Sequence, residues 1–130
     1  YRDSMASNPN TDYLQWPGAQ GAPVDGAGYP LLSGDQTAWC VYNDAKTDEH
    51  TNNAGGTSPL GIEVRQTIWA SSDSSESYVI NAKYQIFNKG SKQVADFYIA
   101  FWADPDVGGS IDDLVGCDTL QNIFFAYNII

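Results

Sequence analysis

The chain has 130 residues, 42% of them hydrophobic, and carries seventeen aromatics against 17% charged residues. That length supports one ordinary domain burying about two-thirds of its unfolded surface, and the composition argues for a packed core over a disordered tail. Sixteen Asp and Glu against six Lys and Arg give a formal charge of -10, which disfavours nucleic acid and anionic membranes as partners.

The acid is unevenly spread. After Lys92 there is no Lys, Arg or His, and residues 93–130 carry six Asp, which is -6 of the -10. No apolar run approaches the roughly 20 residues that span a bilayer, so membrane insertion is not expected. The opening YRDSMASNPN has none of the layout of a signal peptide, and the chain reads as a mature or excised segment. Cys40 and Cys117 lack any C-x-x-C spacing. In an oxidising compartment they would pair, and in cytosol they would be two buried thiols; a composition of extracellular character favours the disulfide.

In chain order, residues 1–35 are rich in Gly, Pro, Asn, Asp and Ser and predict an irregular arm with anchors at Tyr13, Trp16 and Tyr29. This arm is expected to pack on its own domain or on a neighbouring copy. Residues 36–130 then read as a strand-rich domain. QTAWCVYN (36–43) is a compact β-prone run. LGIEVRQTIWA (60–70) alternates Ile62, Val64, Gln66 and Ile68 against Glu63, Arg65, Thr67 and Trp69, the period-two pattern of a half-buried strand. That pattern turns Trp69 toward solvent. SYVINAKYQIFN (77–88) alternates again, and NKGS (88–91) reads as a hairpin turn with Gly90 available for positive φ. QVADFYIAFWA (93–103) is apolar on both faces, as a central strand would be, and LQNIFFAYNII (120–130) is a last strand.

No segment shows capped helical periodicity, so the predicted class is all-β. The predicted architecture is an antiparallel two-sheet β-sandwich of jelly-roll or immunoglobulin-like type, with the long irregular arm ahead of it. The apolar end at Ile130 predicts a polypeptide that continues, or a strand completed by another subunit.

Between the last two predicted strands lies ADPDVGGSIDDLVGCD (103–118), with Asp104, Asp106, Asp112, Asp113 and Asp118 and no base to neutralise them. Two unit charges 5 Å apart repel by about 3 kcal/mol at an effective dielectric near 20, so a confined loop of this kind needs a counter-charge. Calcium suits it, because calcium accepts irregular mixtures of carboxylate and carbonyl oxygens and the glycines free the backbone to supply carbonyls. Asp104, Asp106 and Asp112 are the first candidate ligands, with Asp113 and Asp118 as alternatives or outer groups. An EF-hand is excluded: counting from Asp104, position five is Gly108 and position twelve is Val115, where a bidentate Glu belongs. The competing reading is a solvated acidic turn with no ion.

Catalytic signals are weak. The carboxylates crowd one loop and do not face each other across a cleft, as glycoside hydrolysis requires. Glu63 reads as a strand residue beside Arg65, and His50 is a lone histidine in a polar loop. No Gly-x-Ser-x-Gly motif, Cys/His pair or phosphate loop is present. The reading is non-enzymatic. Trp69, Trp16 and Tyr13 are candidates for a contact surface, for a glycan or for another subunit.

The strings DYLQWP, PLLSGDQTAWCVYNDA, SPLGIEVRQTIWA and FWADPDVGGSIDDLVGCDT together resemble an extracellular β-sandwich module of large secreted proteins from Bacteroidota-type bacteria, associated with type IX secretion and of unassigned activity. The resemblance covers about Asp12 to Thr119. It implies a location outside a Gram-negative cell, which adds weight to the disulfide, and acidic loops that bind calcium. The expectation that results is a calcium-binding structural module, a homo-oligomeric or polymeric subunit of a surface filament, tube or layer. The alternative is a carbohydrate-binding or spacer module of a larger secreted protein.

Overall fold

The computed structural model describes residues 10–49, 57–109 and 111–128. One helical turn, α1 (Thr11–Leu14), precedes five strands: β1 (Gln36–Asn43), β2 (Ile62–Ala70), β3 (Ile80–Asn88), β4 (Asp113–Asp118) and β5 (Ile123–Asn128). Short 3-10 turns lie at Gly18–Gln20 and Thr47–Glu49. The class is all-β. The chain divides into two compact units, Tyr1–Ala95 and Asp96–Ile130, with one antiparallel sheet in each. None of the described helices is long and apolar enough to cross a membrane.

The first sheet has the order β1-β2-β3. Residues 36–43 form β1 as their β-branched and aromatic content predicts, and pair in register from Gln36↔Ala70 to Asn43↔Glu63. The β2–β3 register runs from Ile62↔Asn88 to Ala70↔Ile80. Directly opposed residues share a face. One face therefore carries Trp39, Arg65, Thr67, Trp69 and Phe87, and the other carries Cys40, Tyr42, Val64, Ile68, Tyr84 and Ile86.

The covered face is the opposite of the one predicted. Thr67, placed toward solvent by the alternation, is only 5% exposed, and Trp69 is half-buried. The arm is what covers them. Gly21 lies so close to the Arg65 guanidinium that a Cβ there would overlap it, and a Cβ on Gly34 would meet the Ala70 carbonyl oxygen at 2.6 Å and the Trp69 ring at 3.3 Å. Asp35 donates its N–H to that Ala70 carbonyl at 3.0 Å, and its carboxylate accepts from the Ser72 N–H at 2.7 Å. Bare glycine backbone can lie against a guanidinium and an indole, so a face that reads as polar is buried. Arg65 itself lies 4.5 Å above the Phe87 ring and bonds Glu63 at 3.0 Å.

Among the described residues of this unit the other face is only partly covered, with Val64, Ile68 and Ile86 half-buried. Tyr42 is 45% exposed and Ile80 75%, although both belong to its apolar set. Among the described residues one hydrophobic side chain, Ala22, counts as buried.

A single four-residue helical turn accompanies the strands. Asn10 caps α1, its side-chain oxygen accepting from the Asp12 N–H at 2.9 Å, which holds four residues in helical form. The predicted strand over 93–103 does not form, nor does a hairpin at 88–91. After Asn88, both the Lys89 and Gly90 N–H groups donate to the Gly61 carbonyl, at 2.8 and 3.0 Å, and the Asn88 amide donates to the Lys92 carbonyl at 2.8 Å. These bonds fold the connection back onto the start of β2. Positive φ belongs to Gly61 (+82°) and not to Gly90, whose Cα lies 2.6 Å from where a Gly61 Cβ would be. Asp96, at φ 51°, then breaks the extended conformation that a strand would need.

The second sheet is the β4–β5 hairpin, registered from Asp113↔Asn128 to Asp118↔Ile123. β5 corresponds to the predicted last strand, shortened to Ile123–Asn128; residues 129–130 lie outside the described residues. β4 was not predicted, since its DLVGCD sequence reads as loop. Gly116 is tolerated there because the Phe125 ring, directly opposite, lies over it: a Cβ on Gly116 would meet that ring at 2.5 Å.

Candidate functional site

The acidic stretch is not one confined loop. Its first part, holding Asp104 and Asp106, is irregular and exposed, and its second part is β4. Ser110 lies outside the described residues. Asp113 and Asp118, at the two ends of β4, already have partners. The Asp113 carboxylate accepts from the Val107 N–H at 3.2 Å. The Asp118 carboxylate accepts from the Leu120 and Gln121 N–H groups at 2.9 and 3.1 Å, closing the turn into β5, where Asn122 sits at φ 55°. Short side-chain acceptors of this kind are a common device for building turns. Asp112 is exposed next to Gly109. Among the described residues no three Asp, Glu, His or Cys side chains converge as metal ligands. The donor chemistry of Asp104, Asp106 and Asp112 suits a hard cation, but their placement does not form a cage.

Cys40 and Cys117 lie in β1 and β4, one in each unit, and both are free and exposed. The Cys40 thiol lies 3.6 Å from the Gln66 side-chain oxygen. Cys40 shares the partly covered apolar face of its sheet, and Cys117 shares a face of the hairpin with Val115, Phe124 and Ala126, all outside the buried class.

The aromatic candidates separate. Trp69 is half-buried under Gly34, whereas Tyr13 and Trp16 stand on and just after α1 at the mouth of two open clefts. The Trp16 indole N–H donates to the Pro23 carbonyl at 2.8 Å, which fixes the ring with its N–H turned inward. His50 lies outside the described residues.

One structural carboxylate is not visible in the sequence. Asp44, directly after β1, accepts from three successive N–H groups, including Gly61 at 3.0 Å and Ile62 at 2.8 Å. Desolvation pushes this carboxyl up, but the N–H bonds from Leu60, Ile62 and Gly61 outweigh it and hold the group below the ordinary carboxylate range. Asp73 is likewise held low, first by the Ser75 hydroxyl and then by the Ser75 N–H, against opposing desolvation and the nearby Asp35 charge. No local motif could have identified Asp44, because its partners are main-chain groups sixteen to eighteen residues away.

The segment expected to be a strand is an exposed apolar feature outside the sheets. Tyr98 is 88% exposed, Phe101 77% and Trp102 86%. Both outer strands of the first sheet, β1 and β3, also have one edge that pairs with no other strand among the described residues.

No protein-family model, no characterised protein and no solved structure matches the chain.

Proposed function

We propose that this chain is a non-enzymatic structural β-module whose open apolar surfaces are built to be covered, first by its own second sheet and then by further copies. The observation that carries the reading is the incompletely covered face of the first sheet, with Cys40, Tyr42, Val64, Ile68, Tyr84 and Ile86 on the face opposite the one the arm covers. Fully covering an exposed apolar side chain contributes about 1.5–3 kcal/mol; with Tyr42 and Tyr84 exposed and Val64, Ile68 and Ile86 already half-buried, covering this face is worth several kcal/mol, a sizeable share of the net stability of a domain. A surface of that worth is costly to leave in water.

In this reading the Val115 and Cys117 face of the β4–β5 hairpin closes over that surface as the second layer of a sandwich. Cys40 and Cys117 both lie on apolar faces, which is where an inter-sheet disulfide needs them. The unpaired edges of β1 and β3 and the apolar segment 97–102 then serve association between copies, by the strand addition that open edges invite. The setting is a bacterial cell surface or the extracellular space, where the disulfide would persist. Calcium belongs to the same proposal: an ion drawing Asp104, Asp106 and Asp112 together would neutralise the acidic half of the chain during assembly.

Negative-stain microscopy and light scattering, in calcium and then in chelator, test this. Filaments, tubes or sheets are expected with calcium. Monomers under both conditions refute assembly, and the absence of both calorimetric heat and a melting shift on adding calcium refutes the ion.

A further inference from the structure

We infer that the arm carries a binding site for a neutral oligosaccharide, built on the Tyr13–Trp16 ridge with Asp12 and Gln36 as its polar groups. This does not rest on self-association and would operate on a single copy.

Two open clefts share Tyr13 and Trp16. One, of about 160 Å³, is rimmed by Asn10, Asp12, Gln36 and Thr37 over Leu32. The other, of about 470 Å³, is apolar and runs past Leu14 and Val24 to Tyr29 and Pro30. The ridge is held in place from two sides. Asn10 caps the helical turn that carries Tyr13, and the inward bond from Trp16 to Pro23 stops the indole from rotating. A ring fixed before binding loses little rotamer freedom when a ligand stacks on it.

The polar rim decides the class of ligand. Neither the Asp12 carboxylate nor the Gln36 amide hydrogen-bonds another described residue. A carboxylate offers only acceptors, and a primary amide offers both a donor and an acceptor. Together they fit vicinal hydroxyl groups, each of which can donate and accept, beside an aromatic ring for the apolar C–H face of a sugar. Among the described residues no Lys or Arg lines either cleft, and Asp12 adds negative charge, so sulfated or carboxylated glycans are disfavoured. A proline-rich peptide is the other ligand that aromatic grooves accept. Its exposed groups are mainly carbonyl acceptors that call for an indole or similar donor, and here the Trp16 N–H is already committed to Pro23.

The test is calorimetric titration of the intact chain with cellohexaose, laminarihexaose, xylohexaose and mannohexaose, with decaproline as a peptide probe. Indole N–H resonances are followed by NMR in parallel. At least one hexasaccharide is expected to bind and move an indole resonance that Trp16→Ala removes. Trp16→Ala should weaken binding at least tenfold, Asp12→Asn should weaken it severalfold with an unchanged melting temperature, and Trp69→Ala should leave it intact. No binding by any of the four sugars at about 10 mM, an affinity too weak to matter, overturns the inference. Wild-type affinity in both Trp16→Ala and Asp12→Asn overturns it too, as does binding of decaproline in place of the sugars.

Discussion

Replacing Gly61 with alanine should be among the most damaging single changes in the first unit, and the structure separates the causes. Gly61 sits at φ +82°, where an L-residue costs about 1–2 kcal/mol. Its new Cβ would also lie 2.6 Å from the Gly90 Cα and 2.8 Å from the Gly90 nitrogen, both backbone atoms that cannot swing aside. Relieving that overlap means parting Gly61 from the Lys89 and Gly90 N–H groups that its carbonyl holds, at about 0.5–1.5 kcal/mol each. The expected loss is about 2–4 kcal/mol. Two other glycines serve as controls. Gly28 has a similar φ of +88° but nothing within 4 Å of its Cβ position, so Gly28→Ala isolates the backbone cost of about 1–2 kcal/mol. Gly26 has neither feature, and Gly26→Ala should be neutral or slightly stabilising. Urea unfolding followed by tryptophan fluorescence reads the series. With a slope of about 1–3 kcal/mol/M, Gly61→Ala should move the midpoint by roughly 1–2 M, or prevent folding, while Gly28→Ala moves it about half as far. Coincident midpoints for these two variants would show that the Gly61–Gly90 contact is not made.

Asp44 gives the fold an acid-sensitive tie. Because its folded pKa lies below the ordinary value of 3.8, the stability it adds is present above about pH 4 and is lost as pH falls through the lower folded value. Asp44→Asn should therefore be less stable at pH 7 yet lose less on acidification, and calorimetric melting curves from pH 6 to about pH 2.5 that run parallel to wild type would contradict this. Arg65→Met removes the contact with Phe87 and the bond to Glu63, at a cost of about 1 kcal/mol. It should also speed proteolytic nicking near Gly21, which lies against the guanidinium, and an unchanged nicking rate would show that the arm is held by other means.

The parts of the fold that could be read from the sequence are those fixed by local alternation. β1, β2 and β3 follow from residues 36–43, 62–70 and 80–88, since period-two patterns and β-branched residues carry strands wherever a partner is near. What failed depended on long-range neighbours. The strand over 93–103 has the right composition, but the bonds from Lys89 and Gly90 to Gly61 turn the chain away before it can pair. β4 was hidden because its Gly and Asp residues read as turn, and only Phe125 across the hairpin explains them. The covered face of β2 was misread because its cover is glycine backbone from the arm. At the sites the pattern repeats. The crowding of Asp104, Asp106 and Asp112 is visible in the sequence, but the use of Asp113 and Asp118 to bond backbone is not. Tyr13 and Trp16 stand out by residue type, whereas Asp12 and Gln36 join them only through folding.

The Asp44 carboxylate has one more consequence. By gripping the N–H groups of residues 60–62 from the end of β1, it fastens both ends of the β1–β2 connector at the sheet. The length of chain between those ends is thereby uncoupled from the pairing of the strands. Doubling a flexible loop costs only about 0.6 kcal/mol once its ends are held. Asp44 thus fixes where β2 begins relative to the end of β1 from a single side chain, and the register of the pair does not depend on the chain between them.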